Sequence, residues 1–204
     1  MYQPKAHEEL RTEVLHGLIG SYPLGSLVTQ GQLGLAVNHI PFLIDPCAGT
    51  HGTLRAHVAR ANPLWQEPGA QSVVIFQGPD AYISPNWYPS KHQTGMAVPT
   101  WNYAVVHAHG RLRVIEDRDW LLQLVSELTD RHERSQQLPW KVGDAPKEYL
   151  ERLLGMIVGI EIPIEQLVGK WKSSQNRSDA DRAGVAAGLS AQGRSVDQLV
   201  RPGN

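Results

Sequence analysis

Aromatic and polar side chains that could hold a planar ligand are concentrated around one aperiodic stretch of the sequence. Residues 84–99, SPNWYPSKHQTGMAVP, contain three prolines and one glycine and follow no regular period, which predicts a long loop. Five of the chain's fourteen aromatic residues lie in or beside it: Tyr82, Trp87, Tyr88, Trp101 and Tyr103. Stacking surface beside Lys91, Thr100 and Asn102 suits a planar cofactor or a nucleobase. The alternative is that these aromatic residues fill the core.

A second polar cluster lies in residues 59–63, ARANP, where a predicted strand ends. Arg60 offers a planar fork of donors suited to a phosphate, and backbone N–H groups at a helix start would add to it. The alternative is that Asn62 caps a short helix with Pro63 in its first position, while Arg60 is solvated. The residues alone leave both interpretations open.

The nine histidines do not form a recognisable metal-binding motif. His107 and His109 lie two residues apart on one strand face, and His39 and His57 fall on strands that could be neighbours. The sequence has no His-Glu-x-x-His and no Cys-x-x-Cys pattern, so no metal site is predicted. Histidines hydrogen-bonded within the sheet are the simpler interpretation.

Several common nucleotide-binding and hydrolase motifs are absent from the sequence. Residues 31–34, GQLG, do not continue into Gly-x-Gly-x-x-Gly, and residues 169–171, GKW, lack the Ser or Thr of a phosphate-binding loop. Residues 188–193, GLSAQG, miss the Gly-x-Ser-x-Gly pattern by one position. Rossmann dehydrogenases, P-loop NTPases and α/β-hydrolases are therefore excluded.

Positive charge is concentrated at the C-terminal end of a chain whose net charge is only -1. Residues 1–169 carry 17 acidic and 13 basic side chains, whereas residues 170–204 carry 3 and 6. The candidate nucleic-acid contacts in this tail are Lys170, Lys172, Gln175, Asn176 and Arg177. A dimer would double this patch, and nonspecific affinity grows with each phosphate neutralised. The alternative is a solvated chain terminus.

The hydrophobic periodicity predicts a mainly β fold with peripheral helices. Apolar residues from Ala6 to Ile19 have helical spacing, and about seven short strands follow between residues 27 and 115, as in a barrel or a sandwich. Residues 27–40 should form a hairpin, and the alternation in residues 54–58 should turn Leu54, Ala56 and Val58 to the core and Arg55 and His57 away from it. Helices are predicted after Asp117 and after Pro146, the second with Tyr149, Leu150, Leu153 and Leu154 inward. A late strand should then stop at Pro163.

Two parts of the chain are expected from this pattern. Residues 1–169 would form the β domain with its N-terminal helix and a helical insert, and residues 170–204 a basic helical tail with starts at Ser178 and Ser195. The single cysteine, the lack of a signal peptide and the lack of an apolar run near the ~20 residues of a membrane span predict a soluble, cytoplasmic protein.

Five separated blocks of the sequence form a recognisable combination. They are VNHIPF (37–42), HVARANP (57–63), FQGPDAYISP (76–85) with the following Trp87-Tyr88, VPTWNY (98–103) and KSSQN (172–176). Together they closely resemble the FMN-binding negative transcriptional regulators of the PaiB type. The similarity runs in the same order from Met1 to about Leu189.

The resemblance implies a split β-barrel related to pyridoxamine phosphate oxidase, working as a homodimer with FMN near the subunit interface. It places the FMN phosphate near His57, Arg60 and Asn62. The isoalloxazine would lie along the strand that carries Asn38 and His39. Further contacts would come from the same or the opposite subunit, through Lys91, Thr100, Trp101 and Asn102.

The function implied by the resemblance is transcriptional repression by an FMN-binding protein, directly on DNA or through a partner. The same fold also carries other flavin chemistry. The alternatives are therefore an FMN-dependent oxidoreductase or flavin reductase, and a haem-binding protein with an axial histidine. No catalytic residue and no membrane partner are predicted, and a regulator that is not an enzyme is the first expectation, with an FMN-dependent oxidoreductase as the enzyme alternative.

Overall fold

A computed structural model describes residues 1–32 and 34–194, which form nine β-strands and five α-helices. The strands are β1 (Glu8–Glu9), β2 (Leu24–Gly31), β3 (Gly34–Pro41), β4 (Leu43–Asp45), β5 (Thr53–Ala59), β6 (Gln71–Ile83), β7 (Thr100–Arg111), β8 (Arg113–Ile115) and β9 (Ile157–Lys172). The helices are α1 (Thr12–Ser21), α2 (Pro89–Thr94), α3 (Arg118–Glu133), α4 (Lys147–Leu154) and α5 (Asp179–Ala191). This confirms the predicted mainly β chain with peripheral helices.

The chain divides into two compact units. Unit 1 contains residues 1–22, 76–107 and the described residues from 168 onward, and unit 2 contains residues 23–75 and 108–167. Strands β6, β7 and β9 each run from one unit into the other, and the strand order is β3-β2-β6-β7-β9-β5-β4. The predicted division between residues 169 and 170 falls inside β9.

The sheet of unit 2 follows the alternation read from its sequence. The predicted hairpin forms as β2 and β3, with Leu27 opposite Asn38. On β5, Leu54, Ala56 and Val58 are buried while Arg55 and His57 point to the other face, as period-2 spacing requires. The two-faced strand therefore presents its polar residues away from its apolar core.

Helices α3 and α4 of unit 2 match their predicted positions but not all their predicted faces. Asp117 caps α3 through a 2.7 Å hydrogen bond from the Trp120 N–H, and Leu124 and Leu128 of this helix pack with Leu43. On α4 only Leu154 is buried, so the inward placement of Tyr149 and Leu153 was wrong. An eight-residue helix offers only a narrow face to the core, and those two side chains stay at the surface.

The predicted N-terminal helix is shorter than its apolar spacing indicated. It begins at Thr12 rather than near Ala6, because residues 8–9 instead pair with β9 as strand β1. Leu15, Leu18 and Ile19 are buried as expected, whereas Leu10 is 74% exposed. Tertiary pairing of the backbone overrides the local periodicity at this end.

Two further predictions were wrong for reasons that involve proline. Residues 84–99 are not a plain loop: a 3₁₀ turn spans Pro85–Trp87 and α2 follows, ended by Gly95 at φ +71°. Strand β9 does not stop at Pro163 but continues to Lys172. Pro163 lies opposite Thr53 at the last pair of the β5 ladder, where its missing N–H costs little.

Helix α5 of unit 1 packs against the segment of residues 84–99, which the sequence predicted to be a loop. The predicted cap holds, since the Ser178 hydroxyl accepts from the Asp181 N–H at 3.2 Å. Val185 and Leu189 are buried with Ala81, Ile83 and Tyr88. The alternative interpretation of the aromatic residues as core is thus confirmed for Tyr88. The second predicted tail helix, starting at Ser195, lies outside the described residues, and no helix in the described part is long and apolar enough to cross a membrane.

Candidate functional site

A groove of about 590 Å³ runs along strand β3 in unit 2. Residues 34–38 of β3 form one side, and residues 61–64 with Glu67 form the other. Small-molecule sites typically enclose about 300–1,000 Å³. The groove therefore has room for a cofactor of ordinary size.

Two asparagines join the two sides of this groove. The Asn62 Nδ2 donates to Asn38 Oδ1 at 2.8 Å, and Asn62 Oδ1 accepts from the Leu64 N–H at 3.0 Å. Asn62 thus caps the 3₁₀ turn Pro63–Gln66, which confirms the cap of the alternative interpretation, and it also bridges to β3. Because Oδ1 of Asn38 is the acceptor, its amide nitrogen is left as a donor at the groove.

The groove also borders a free sheet edge. Strand β3 pairs with β2 and stands at the end of the strand order, with no second partner strand in the described residues. An edge strand presents a row of backbone N–H and C=O groups that a ligand can use. Backbone polar groups, the two asparagines and the apolar residues Val37 and Leu64 thus line the same groove.

The predicted histidines have different surroundings. The Nδ1 atom of His39 on β3 lies 3.0 Å from the Ser26 hydroxyl of β2. His57 lies on β5 opposite Gly159, and its Nδ1 has no hydrogen-bond partner among the described residues. Burial lowers the pKa of His57 below its usual 6.5 because the charged imidazolium is poorly solvated. Neither histidine is among the residues that line the groove.

The burial of His57 predicts a pH-dependent stability. The folded-state pKa of His57 is below 6.5, so between pH 6.5 and that lowered pKa only the unfolded chain binds a proton at this imidazole. The contribution of His57 to folding stability is therefore fully present above pH 6.5 and is lost as the pH falls toward the lowered pKa. His57→Gln should remove this contribution. Chemical unfolding of both proteins between about pH 5 and 8 measures the difference. His7 and His109, whose pKa burial also lowers, remain in both proteins. Parallel stability curves would contradict the prediction.

Arg60 is present at the predicted position, but its guanidinium is already engaged within unit 2. Its Nη1 donates to Glu116 at 2.9 Å, its Nε to the Gly155 carbonyl at 3.1 Å and its Nη2 to the Ile157 carbonyl at 3.4 Å. It also lies 5.6 Å from the centroid of the Trp65 ring. A phosphate would have to displace some of these contacts, so the assignment of Arg60 to the FMN phosphate stays a prediction.

The four predicted contacts on residues 91–102 lie in unit 1. Lys91 donates to the side chain of Asn86, and the Thr100 hydroxyl accepts from Lys172. Trp101 is 53% exposed and meets Tyr82 edge to face, with ring centroids 6.0 Å apart. Asn102 is buried beside Ser174. The Tyr82–Trp101 pair therefore presents aromatic surface at the exterior of unit 1.

Most of the predicted nucleic-acid contacts serve unit 1 itself. Lys170 is buried, donates to the Tyr2 carbonyl at 3.1 Å and lies 5.3 Å from the Tyr103 ring. Gln175 donates to the carbonyls of Ala6 and Trp171, and Arg177 lies 4.8 Å from the Tyr88 ring. With Lys172 bound to Thr100, only Asn176 of the five is an exposed side chain without such a described role.

Sequence reasoning missed several partners of the predicted residues. The missed partners Glu116, Ser26 and Ser174 are each separated in sequence from the residue that they contact, and Glu116 and Ser26 belong to no motif. Ser174 lay within the KSSQN block, which was a usable signal. No sequence signal pointed to Glu116, the partner of Arg60, because an isolated glutamate does not reveal which strand end it will approach.

Comparison with known proteins places these features in a family. The family model described as "Putative FMN-binding domain" matches residues 1–166. The chain belongs to this FMN-binding family. The match confirms the PaiB-type resemblance and the predicted cofactor, FMN.

Individual relatives cover nearly the whole chain. The chain is 35% identical to an uncharacterized protein of Emericella nidulans over 98% of this chain and 94% of that one. It is 31% identical to the protease synthase and sporulation protein PAI 2 of Bacillus subtilis, over 91% and 87%. Among solved structures, an FAD and haem binding protein of Mycobacterium smegmatis has a TM-score of 0.61 at 16% identity, over 87% and 79%. That likeness concerns the fold.

Proposed function

We propose that FMN binds in the groove along β3. The observation that carries this proposal is the free edge of β3 lying beside the Asn38–Asn62 bridge. The polar rim of an isoalloxazine needs alternating donors and acceptors, which an unpaired strand edge supplies, and its ring system needs apolar surface such as Val37 and Leu64. The phosphate would lie at the Asn62 end, and the Tyr82–Trp101 surface of a second copy of the chain would supply a further flavin contact.

We also propose that the sheet is a split β-barrel and that the chain works as a homodimer. The TM-score of 0.61 to a flavin-binding structure supports the architecture. Leu35 and Val37 on the edge strand are 73% and 58% exposed, and apolar side chains on an open edge favour a protein partner. A second copy of this chain is the simplest such partner.

We propose that the chain represses gene expression through a partner and not by contacting DNA itself. The name of the Bacillus subtilis relative, a protease synthase and sporulation protein, refers to cellular processes in which a regulator could take part. The side chains predicted to contact DNA are largely engaged inside unit 1, as Lys170 and Arg177 show. We therefore propose that the chain represses through a partner, with FMN as the bound cofactor, rather than through those side chains.

One purified sample tests this proposal. The visible spectrum should show bound flavin, or show it after incubation with FMN, and the mass in solution should be that of a dimer. A labelled promoter fragment should give no mobility shift with the protein alone at low salt, where phosphate contacts are strongest. A salt-dependent shift that Lys172→Ala and Arg177→Ala abolish would overturn the indirect form, and a protein that never takes up FMN would overturn the cofactor assignment.

An FMN-dependent oxidoreductase is the second candidate. The observation that favours it is that the groove is open to solvent, so a nicotinamide donor could reach a flavin bound there. FMN would supply the redox chemistry, and the chain would bind and orient it. Steady consumption of NADH or NADPH by the FMN-loaded protein would favour the enzyme, and a flavin that is never reduced would exclude it.

A further inference from the structure

Ser174 has an unusual backbone conformation. Its φ is +61°, and it is the only described residue other than glycine with a positive φ. This left-handed region is costly for residues with a Cβ, and glycine is the usual choice there. Ser174 is only 5% exposed, and at this position it supplies a buried hydroxyl that glycine would lack.

That hydroxyl is paired with one buried side chain. The Asn102 Nδ2 donates to Ser174 Oγ at 2.9 Å, and Ser174 Oγ lies 3.3 Å from Asn102 Oδ1. Asn102 is 2% exposed, so each side chain satisfies the other in a place that water does not reach. Beside this pair, Lys172 donates to the Thr100 hydroxyl. Lys172 at the end of β9 and Ser174 just after it therefore both hold the start of β7.

The pairing lies on the buried face of β7, which also carries Ala104, Val106 and Ala108. Successive residues of a strand point to opposite faces, so Asn102 inward requires Trp101 outward. A slip of one residue would exchange the two faces. The polar pair is satisfied only when Asn102 and Ser174 face each other, so it adds to the apolar residues a contact that only this register allows.

We propose that Ser174 is a positioning residue for ligand binding: through Asn102 it holds Trp101 on the outer face of β7 as the aromatic contact for the flavin ring. This inference rests on the proposed function, in which the Tyr82–Trp101 surface contacts FMN. Ser174 itself does not touch the flavin. Its left-handed backbone aims the hydroxyl at Asn102, and the hydrogen bond fixes the strand that carries Trp101.

Two substitutions separate the hydroxyl from the backbone. Ser174→Gly removes the hydroxyl and relieves the cost of a Cβ in the left-handed region, whereas Ser174→Ala removes the hydroxyl and keeps the Cβ with its cost. Ser173→Ala deletes the neighbouring hydroxyl and is the matched control. Asn102→Ala removes the same hydrogen bond from the other side if Ser174→Gly does not fold.

Two readouts report the effect. FMN affinity is measured by flavin fluorescence. The accessibility of Trp101 is measured by acrylamide quenching of tryptophan fluorescence. The signal of Trp101 is isolated by subtracting the quenching of the same variant that also carries Trp101→Phe. We expect Ser174→Gly and Ser174→Ala to weaken FMN binding by about tenfold and to change Trp101 quenching, because Asn102 is left unsatisfied. Ser174→Ala should also be less stable than Ser174→Gly, and Ser173→Ala should match the wild type.

The outcomes distinguish this inference from the proposed function. If Ser174→Gly binds FMN like the wild type and Trp101 quenching is unchanged, Ser174 is only structural and the inference is wrong. If the wild type binds no FMN, the proposed function fails, but the quenching of Trp101 still decides whether Ser174 positions that side chain.

Discussion

Replacing Asn62 with alanine is expected to weaken FMN binding by at least tenfold. The substitution removes the acceptor that caps the 3₁₀ turn at Leu64 and the donor that holds Asn38. Loss of a cap costs about 1 kcal/mol, and an unsatisfied amide adds about 1–2 kcal/mol. The two lost hydrogen bonds position residues on both sides of the groove. Titration of FMN fluorescence measures the affinity, and chemical unfolding measures the stability.

Asn62→Ser separates these two roles. A serine keeps an oxygen that can accept from the Leu64 N–H, but it cannot reach Asn38 as a donor. Asn62→Ser should therefore lose less folding stability than Asn62→Ala, because the cap is kept, while its FMN affinity still falls. If Asn62→Ala binds FMN with unchanged affinity, the groove along β3 is not the flavin site.

Replacing Gly184 with alanine is expected to destabilise unit 1 by about 3 kcal/mol, because helix α5 cannot remain where it packs. A Cβ at this position would lie 1.9 Å from the carbonyl oxygen of Trp87, and backbone cannot move aside as a flexible side chain can. Asp181 would also lose its place, since its carboxylate accepts from the Ser90 N–H at 3.1 Å and from the Ser90 hydroxyl at 2.8 Å. Thermal unfolding and limited proteolysis measure the effect.

Gly17→Ala is the matched control for this clash. Gly17 lies in α1 with no atom within 4 Å of an added Cβ, so alanine should stabilise the helix by about 0.5–1 kcal/mol. The same Gly→Ala change is thus expected to raise folding stability at Gly17 and to lower it at Gly184, two glycines of the same unit. A Gly184→Ala protein as stable as the wild type would show that α5 does not pack on Trp87 as described.

Local sequence signals predicted much of this fold. The cap at Asp117, the cap at Ser178 and the alternation along β5 depend on residues a few positions apart, and the structure confirms all three. The Asn62 cap with Pro63 at the first helical position was likewise readable. These features need no knowledge of the rest of the chain.

Long-range pairing accounts for most of the errors. Residues 8–9 become a strand because β9 reaches them, and Pro163 continues β9 because the β5 ladder ends there. The bridge between Asn38 and Asn62 spans 24 residues, and spacing alone gives no sign of it. The resemblance brought both residues to attention, but the contact between them is visible only in the structure.

The same limit applies to charged side chains. Arg60 and Lys170 were predicted as contacts for phosphate and nucleic acid because their types suit those ligands. The structure shows Arg60 bound to Glu116 and Lys170 bound to the Tyr2 carbonyl, partners 56 and 168 residues away. A cation in a sequence therefore indicates what a site could bind only after its own intramolecular partners are known.

Direct titration of the wild-type chain with FMN tests the central claim. Adding protein to dilute FMN and following flavin fluorescence should give a saturable change with one FMN per chain, and Asn62→Ala should shift the midpoint to at least tenfold higher protein concentration. A fluorescence signal that stays at the level of free FMN over the whole titration, with correctly folded protein, would contradict flavin binding in the groove along β3.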